Sequence, residues 1–288
     1  MWRIILLAIL GGAVPTFSKI VLEVFPAYTF VFLRFIIAAV ILVPLFKMSK
    51  EKIDRKDIPK FVLISLLGTG NIVFFTLGVR HTTATISQLL YAVVPIIVAI
   101  LSVFILKSHI SKQKVVGILL GFVGVIIITL VPNLNNVSID SGTILGNALV
   151  MIAVTSYALY TVFSKKLQEK SSPLAVTTMM VLTTIAVQIV LIPLDVSKYS
   201  KIVSGLSVGN VLCLVYVGAI GTALWYLLYQ RAIKKTNPVT VSMLFYLQPI
   251  CTFFWSYALL SEKLTFSLLI GSVFILVGAG LVTHIKNE

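Results

Sequence analysis

Ten runs of about 20 mostly apolar residues, joined by short polar turns, decide what this chain can fold into. They fall at approximately 3–22, 26–46, 59–79, 82–106, 115–131, 143–166, 172–194, 208–230, 237–260 and 264–285. A helix of that length crosses roughly 30 Å of hydrocarbon. No water is available there, so every backbone N–H and C=O has to be bonded within the protein, which leaves helices or a closed barrel. Barrel strands alternate apolar and polar residues, and that alternation is absent. With 59% apolar and 11% charged residues, a chain of 288 holds too little polar material to coat a soluble body. The expected class is an all-α polytopic membrane protein. The first run starts almost at Met1 without a small-residue cleavage site, so it reads as a retained helix.

A net charge of +14 would point to nucleic acid in a soluble protein. Here the basic residues crowd into turns. With the amino terminus taken as cytoplasmic, the inside regions hold 17 of the 23 Lys and Arg residues. The outside turns hold five, namely Lys19, Arg80, Lys198, Lys201 and Lys263, and Arg34 is left within a span. Such a bias sets orientation in the bilayer. Both termini are therefore expected inside, with lipid and no nucleic acid as partner.

The stretch Leu90–Thr129 returns as Leu244–Thr283 at a constant offset of 154 residues. Pro95 falls on Pro249, Ser102 on Ser256, Leu106 on Leu260, Gly117 on Gly271, Gly124 on Gly278 and Thr129 on Thr283. A fixed internal period in apolar segments is the mark of a repeat-built transporter. Division near Pro132–Asp140 gives two halves, 1–135 and 136–288, of five spans each. Five is odd, so the second half enters the bilayer the opposite way. The expected architecture is ten transmembrane helices arranged as two inverted five-helix repeats around a central cavity, a route to alternating access.

Several residues resemble those of the drug/metabolite transporter superfamily, in particular its ten-span EamA-type branch. They are Phe32-Leu33-Arg34-Phe35, Thr82-Thr83-Ala84-Thr85-Ile86-Ser87 and Pro95 in the first half. In the second they are Asn237-Pro238-Val239-Thr240-Val241-Ser242, Gln248-Pro249, Ser261-Glu262-Lys263-Leu264-Thr265, Gly271 and Gly278. The likeness covers essentially the whole chain. One departure is Ser108, where the resemblance would put a glutamate matching Glu262. The resemblance implies a carrier of small organic metabolites with a cavity lined mainly by spans 1, 3, 4, 6, 8 and 9, and spans 5 and 10 packed outside. It names no substrate.

Arg34 is the only charged side chain well inside a span. Placing a cation there costs about 2.5–3.5 kcal/mol on insertion scales, so it should face protein or water. It is either a counter-ion for a substrate carboxylate or phosphate, or a clamp on carbonyls freed by breaks in neighbouring helices. Gly11, Gly12 and Pro15 mark an expected kink in span 1, and Pro95 and Pro249 mark hinges at matched places in spans 4 and 9. Proline is also simply commoner in membrane helices.

An amide or phenol turned to lipid lacks a partner. Asn71, Gln88, Tyr91, Ser156, Tyr157, Tyr160, Trp225, Tyr226, Tyr229, Tyr246 and Gln248 are therefore expected to line the cavity with Arg34. Interhelical bonding is the alternative for each. Amides among flat aromatic walls suit a small, partly apolar, zwitterionic or neutral substrate. Gly117, Gly121 and Gly124 on span 5, with Gly271 and Gly278 on span 10, read as helix-packing positions.

None of the nine acidic residues falls at mid-bilayer, and His81, His109 and His284 are peripheral. A proton relay built on a buried acid is therefore not expected, and transport is expected to be facilitated diffusion or exchange. No zinc-type histidine pair, nucleotide-binding glycine loop or serine–histidine–acid set occurs, so no enzyme, cofactor or metal is expected. The predicted function is secondary transport, in the export direction, of an amino acid or similar metabolite. A non-transporting receptor or lipid-binding scaffold is the alternative. A prokaryotic plasma membrane is the expected location, with the protein as monomer or homodimer.

Overall fold

Local rules account for most helix boundaries. In the computed structural model the description covers residues 2–134, 143–198, 206–260, 270, 271, 273, 274, 276–278, 280 and 281, and among them there is helix and no strand. The helices are α1 (Trp2–Val24), α2 (Ala27–Met48), α3 (Ile58–Val79), α4 (Ala84–Tyr91), α5 (Val94–Leu106), α6 (Lys112–Leu134), α7 (Ile144–Leu167) and α8 (Pro173–Leu191). A 3₁₀ turn, Ile192–Lys198, follows α8. Then come α9 (Val208–Val215), a π-helical segment (Tyr216–Leu224), α10 (Trp225–Lys235), α11 (Pro238–Ser242) and α12 (Leu244–Leu260). Thr143, Ser172, Ser207 and Asn237 cap the starts of α7, α8, α9 and α11 by accepting a backbone N–H. Lys107, left-handed at φ 52°, ends α5.

Among the described residues, seven helical stretches are long and apolar enough to cross a membrane, and Val94–Leu106 is a shorter apolar helix. The difference from ten has local causes. Three runs are not among the seven: the fourth is interrupted between α4 and α5, the fifth forms α6, and most of residues 264–285 lies outside the described residues. So do the proposed division at 135/136 and the turn carrying Glu262.

The expected kink sites behave unequally. Pro95 stands at the start of α5, directly after the break at Ala92–Val93. Pro249, by contrast, lies inside α12, and the interruption in that span is at Met243. Likewise α1 runs unbroken through Gly11, Gly12 and Pro15. The two glycines there serve close approach: a Cβ on Gly12 would sit 2.5 Å from Cys251 Cβ, and one on Gly11 would collide with the Gln248 amide. Cys213 and Cys251 are free thiols, each half-buried.

Packing joins elements from the two sides of residues 135–142. α1 lies along α12, α3 along α7, and α2 packs on α8 and on the π-helical segment. Gly78 and Gly146 let α3 and α7 touch at backbone distance: a Cβ on Gly78 would lie 2.9 Å from the Gly146 carbonyl oxygen. Gly278 meets α6 in the same way, 2.5 Å from the Gly117 carbonyl oxygen and 2.7 Å from the Gly121 nitrogen. Gly124 and Gly271 are buried.

Polar bonds gather at both ends of the bundle. At one end Glu51 accepts from Ser172 N at 2.9 Å, Lys165 Nζ donates to the Ile233 carbonyl at 2.9 Å, and Lys234 Nζ donates to the Ser171 carbonyl at 3.0 Å. At the other, Lys19 Nζ donates to the Thr82 carbonyl at 3.2 Å and Thr82 Oγ1 to Asn147 Oδ1 at 2.8 Å. Buried Asp195 accepts from Thr29 N at 2.8 Å in the first turn of α2, whose own N-cap, Pro26, supplies no side-chain bond. It acts as a cap lent by another part of the chain. Asp195→Ala is expected to lower stability by about 1–2 kcal/mol, read as a fall in melting temperature with helical content kept. An unchanged melting point would mean that the cap contributes nothing.

Candidate functional site

A cavity lies where α1, α2, α3, α4, α7, the π-helical segment, α10 and α12 converge. Spans 1, 3, 4, 6, 8 and 9 all contribute to its wall, and span 2 adds Arg34. The space open to a water centre is about 60 Å³, several times the ~10–15 Å³ that one water needs. That is room for a few waters.

Eight of the twelve residues expected at such a cavity line it: Arg34, Asn71, Gln88, Tyr91, Tyr157, Trp225, Tyr226 and Gln248. The other four face elsewhere. Ser156 Oγ donates to the Leu67 carbonyl at 2.7 Å, fastening α7 to α3. Tyr160 accepts from Gln230 Nε2 at 2.9 Å, and the Tyr229 hydroxyl bonds Thr161 at 3.0 Å. Tyr246 points away from the cavity and donates to the Ile118 carbonyl at 2.9 Å, its ring lying where a Cβ on Gly121 would come within 2.5 Å. Phe245, its neighbour, is the one turned inward.

Gly11, Val14, Ile72, Phe75, Gly221 and Phe245 complete the lining. Apolar residues and glycines in a membrane span carry no sequence sign of which way they point.

Arg34 is 2% exposed, and its Nε and Nη2 both donate to Thr222 Oγ1, at 3.0 and 2.9 Å. Thr222 Oγ1 in turn donates to the Val217 carbonyl at 2.7 Å, five residues back, as π winding allows. The arginine thus holds the π-helical segment through a hydroxyl, not by gripping carbonyls itself. It also sits 5.6 Å from the ring centres of Phe30 and Phe35. Among the described residues no carboxylate pairs with it, and no acid or histidine lines the cavity.

Around this cation the wall is fixed and mostly aromatic. Asn71 Nδ2 donates to the Tyr91 hydroxyl and, at 2.9 Å, to the Ala153 carbonyl. Trp225 Nε1 donates to the Leu7 carbonyl at 2.9 Å, and its ring stacks on Tyr229 at 5.0 Å and 8°. Tyr91 meets Phe75 edge-on at 5.5 Å, and Tyr157 meets Phe245 edge-on at 5.2 Å. One buried polar atom of the lining, Gln88 Oε1, has no hydrogen-bond partner among the described residues. Buried polar atoms are seldom left so.

The profile of the EamA-like transporter family matches residues 1–130 and 144–284. The chain belongs to the EamA-like transporter family. Its relatives include the Bacillus subtilis protein named "Uncharacterized transporter YetK", 31% identical over 295 residues that cover 98% of this chain and 85% of that one. An "Uncharacterized transporter" of Archaeoglobus fulgidus is 30% identical over 254 residues, covering 88% and 87%. A solved structure, 15% identical, superposes with a TM-score of 0.76 over 97% of this chain and 95% of its own, which shows a shared fold. As an EamA-like transporter the chain is a multi-pass membrane protein with bacterial and archaeal relatives.

Proposed function

We propose that this EamA-like transporter is a secondary carrier that moves a small, partly apolar organic metabolite bearing a carboxylate, an amino acid or a close analogue, by alternating access. The observation that carries the reading is Arg34. It is a buried guanidinium at the wall of a cavity amid apolar helices, with spare donors and no opposing carboxylate among the described residues. An uncompensated cation in such surroundings is costly, and a bidentate carboxylate relieves that cost. Aromatic walls supply the apolar part of the fit. The two profile matches are what a duplicated five-helix unit would produce, and inverted duplication supports alternating access. The lysines at the Glu51–Ser172 end of the bundle support a cytoplasmic location for that end and for both termini, in the plasma membrane. Export is the direction we adopt.

Reconstitution into liposomes tests the reading. Labelled neutral amino acids trapped inside should exchange with the same compounds added outside, without an imposed gradient. A cavity lined by no acid or histidine favours exchange or facilitated diffusion over proton coupling. Accumulation that depends on a pH gradient alone would overturn the coupling reading, and the absence of any flux across an amino-acid panel would overturn the substrate class.

A further inference from the structure

Three prolines stand four residues after a residue that lines the cavity: Pro15 after Gly11, Pro95 after Tyr91 and Pro249 after Phe245. In an α-helix the N–H of the fourth residue on bonds each carbonyl. Proline has no N–H, so the carbonyls of Gly11, Tyr91 and Phe245 all lack their helical donor. Two of these helices continue regardless, α1 through Pro15 and α12 through Pro249. Gly11 has no side chain, so what it presents to the cavity is backbone.

A carbonyl stripped of its donor within a membrane is tolerated where it lines a wet cavity or meets a ligand. Carbonyls at the ends of interrupted membrane helices are a recurrent way to hold a cation, and Tyr91 ends α4 directly before a break. The cavity has no carboxylate for that purpose. It does have a further buried acceptor, Gln88 Oε1, with no partner among the described residues, and the aromatic side chains of Tyr91 and Trp225, a residue type that attracts a cation electrostatically.

We infer that the carbonyls of Gly11, Tyr91 and Phe245 form a cation subsite that takes the substrate's ammonium group while Arg34 takes its carboxylate. The inference rests on the carrier reading and narrows it: the substrate is a zwitterion, and the prolines set a charge pattern as well as a bend. A compound that keeps only one of the two charged groups satisfies half of the site.

Binding to the full chain in detergent, by thermal unfolding and titration, tests this. The probes are the neutral L-amino acids, the matching acids that lack the amine, and the matching amines that lack the carboxylate, each in sodium and in choline buffer. The amino acid should bind at least about tenfold more tightly than either partial analogue. Pro15→Ala returns an N–H to the Gly11 carbonyl within a helix that is already continuous. It should weaken the amino acid about tenfold and leave the amine-less acid unchanged. Pro249→Ala repeats the test at Phe245.

Either variant binding the amino acid as tightly as the parent, or both variants losing amino acid and acid alike, would sink the subsite and spare the carrier reading. So would an amine-less acid that binds as tightly as the amino acid. Stabilisation by sodium alone, indifferent to the amine, would assign the carbonyls to a metal ion and overturn the inference. No response to any amino acid or acid would remove the substrate class on which the inference rests.

Discussion

An Arg34→Gln protein should keep its helical content and lose on the order of 100-fold in affinity for a carboxylate-bearing substrate, with transport falling in step. Truncating one partner of a buried hydrogen-bonded charge pair costs about 2–5 kcal/mol, and each ~1.4 kcal/mol is tenfold. Arg34→Lys should fall between, because one ammonium cannot occupy Thr222 Oγ1 as Nε and Nη2 do and also grip a carboxylate with two parallel bonds. The decisive comparison is Thr222→Val, which removes the arginine's protein partner and keeps the charge. If Arg34 acts only by holding the π-helical segment, Thr222→Val will match Arg34→Gln in binding as well as in stability. If Arg34 contacts substrate, Thr222→Val will lower the melting point and leave affinity within a few-fold of the parent.

The second large effect concerns the fold. Gly146→Leu should destabilise the protein by about 3 kcal/mol or more. A Cβ at that position would lie 2.7 Å from both the carbonyl carbon and the carbonyl oxygen of His81. Backbone cannot swing aside as a flexible side chain does, so α7 has to move off α3, the helix it lies along. Overpacking of a tight contact typically costs about 1–3 kcal/mol, occasionally more, and the further atoms of leucine push this case to the upper end. Gly209→Leu is the control, since the nearest atom to a Cβ there is Ser207 Oγ at 3.7 Å. Equal melting temperatures for the two variants would refute the close-approach account.

Seven of the ten span positions and the polar half of the cavity wall were legible in the sequence because lipid offers no hydrogen bonds. An amide such as Asn71, Gln88 or Gln248 has to turn inward, and each of these lines the cavity. Hydroxyls carry less information. Ser156 is content with the Leu67 carbonyl, and Tyr160 and Tyr229 find Gln230 and Thr161, all away from the cavity. Tyr246 lies next to the interruption at Met243, where helical phase cannot be read from the sequence: Phe245 lines the cavity, and Tyr246 meets α6. Gly78 and Gly146 gave no sign, because their role depends on α3 and α7 crossing where both lack a side chain. Pro15 and Pro249 mark an expected kink and hinge, and their helices pass through them because a proline costs one hydrogen bond and neighbouring helices hold the rest.

The nine-residue π-helical segment, Tyr216–Leu224, bears on how this chain tolerates changes in length. Deleting one residue there would let the coil tighten to ordinary winding, which takes up the lost residue, so the helix beyond would stay close to its phase. Trp225 and Tyr226 would keep their place at the cavity wall, while the five-residue bond from Thr222 to the Val217 carbonyl, which sets the hydroxyl that meets Arg34, would go. A one-residue deletion in this stretch should therefore be tolerated better than one in α10, where everything beyond would turn by about 100°.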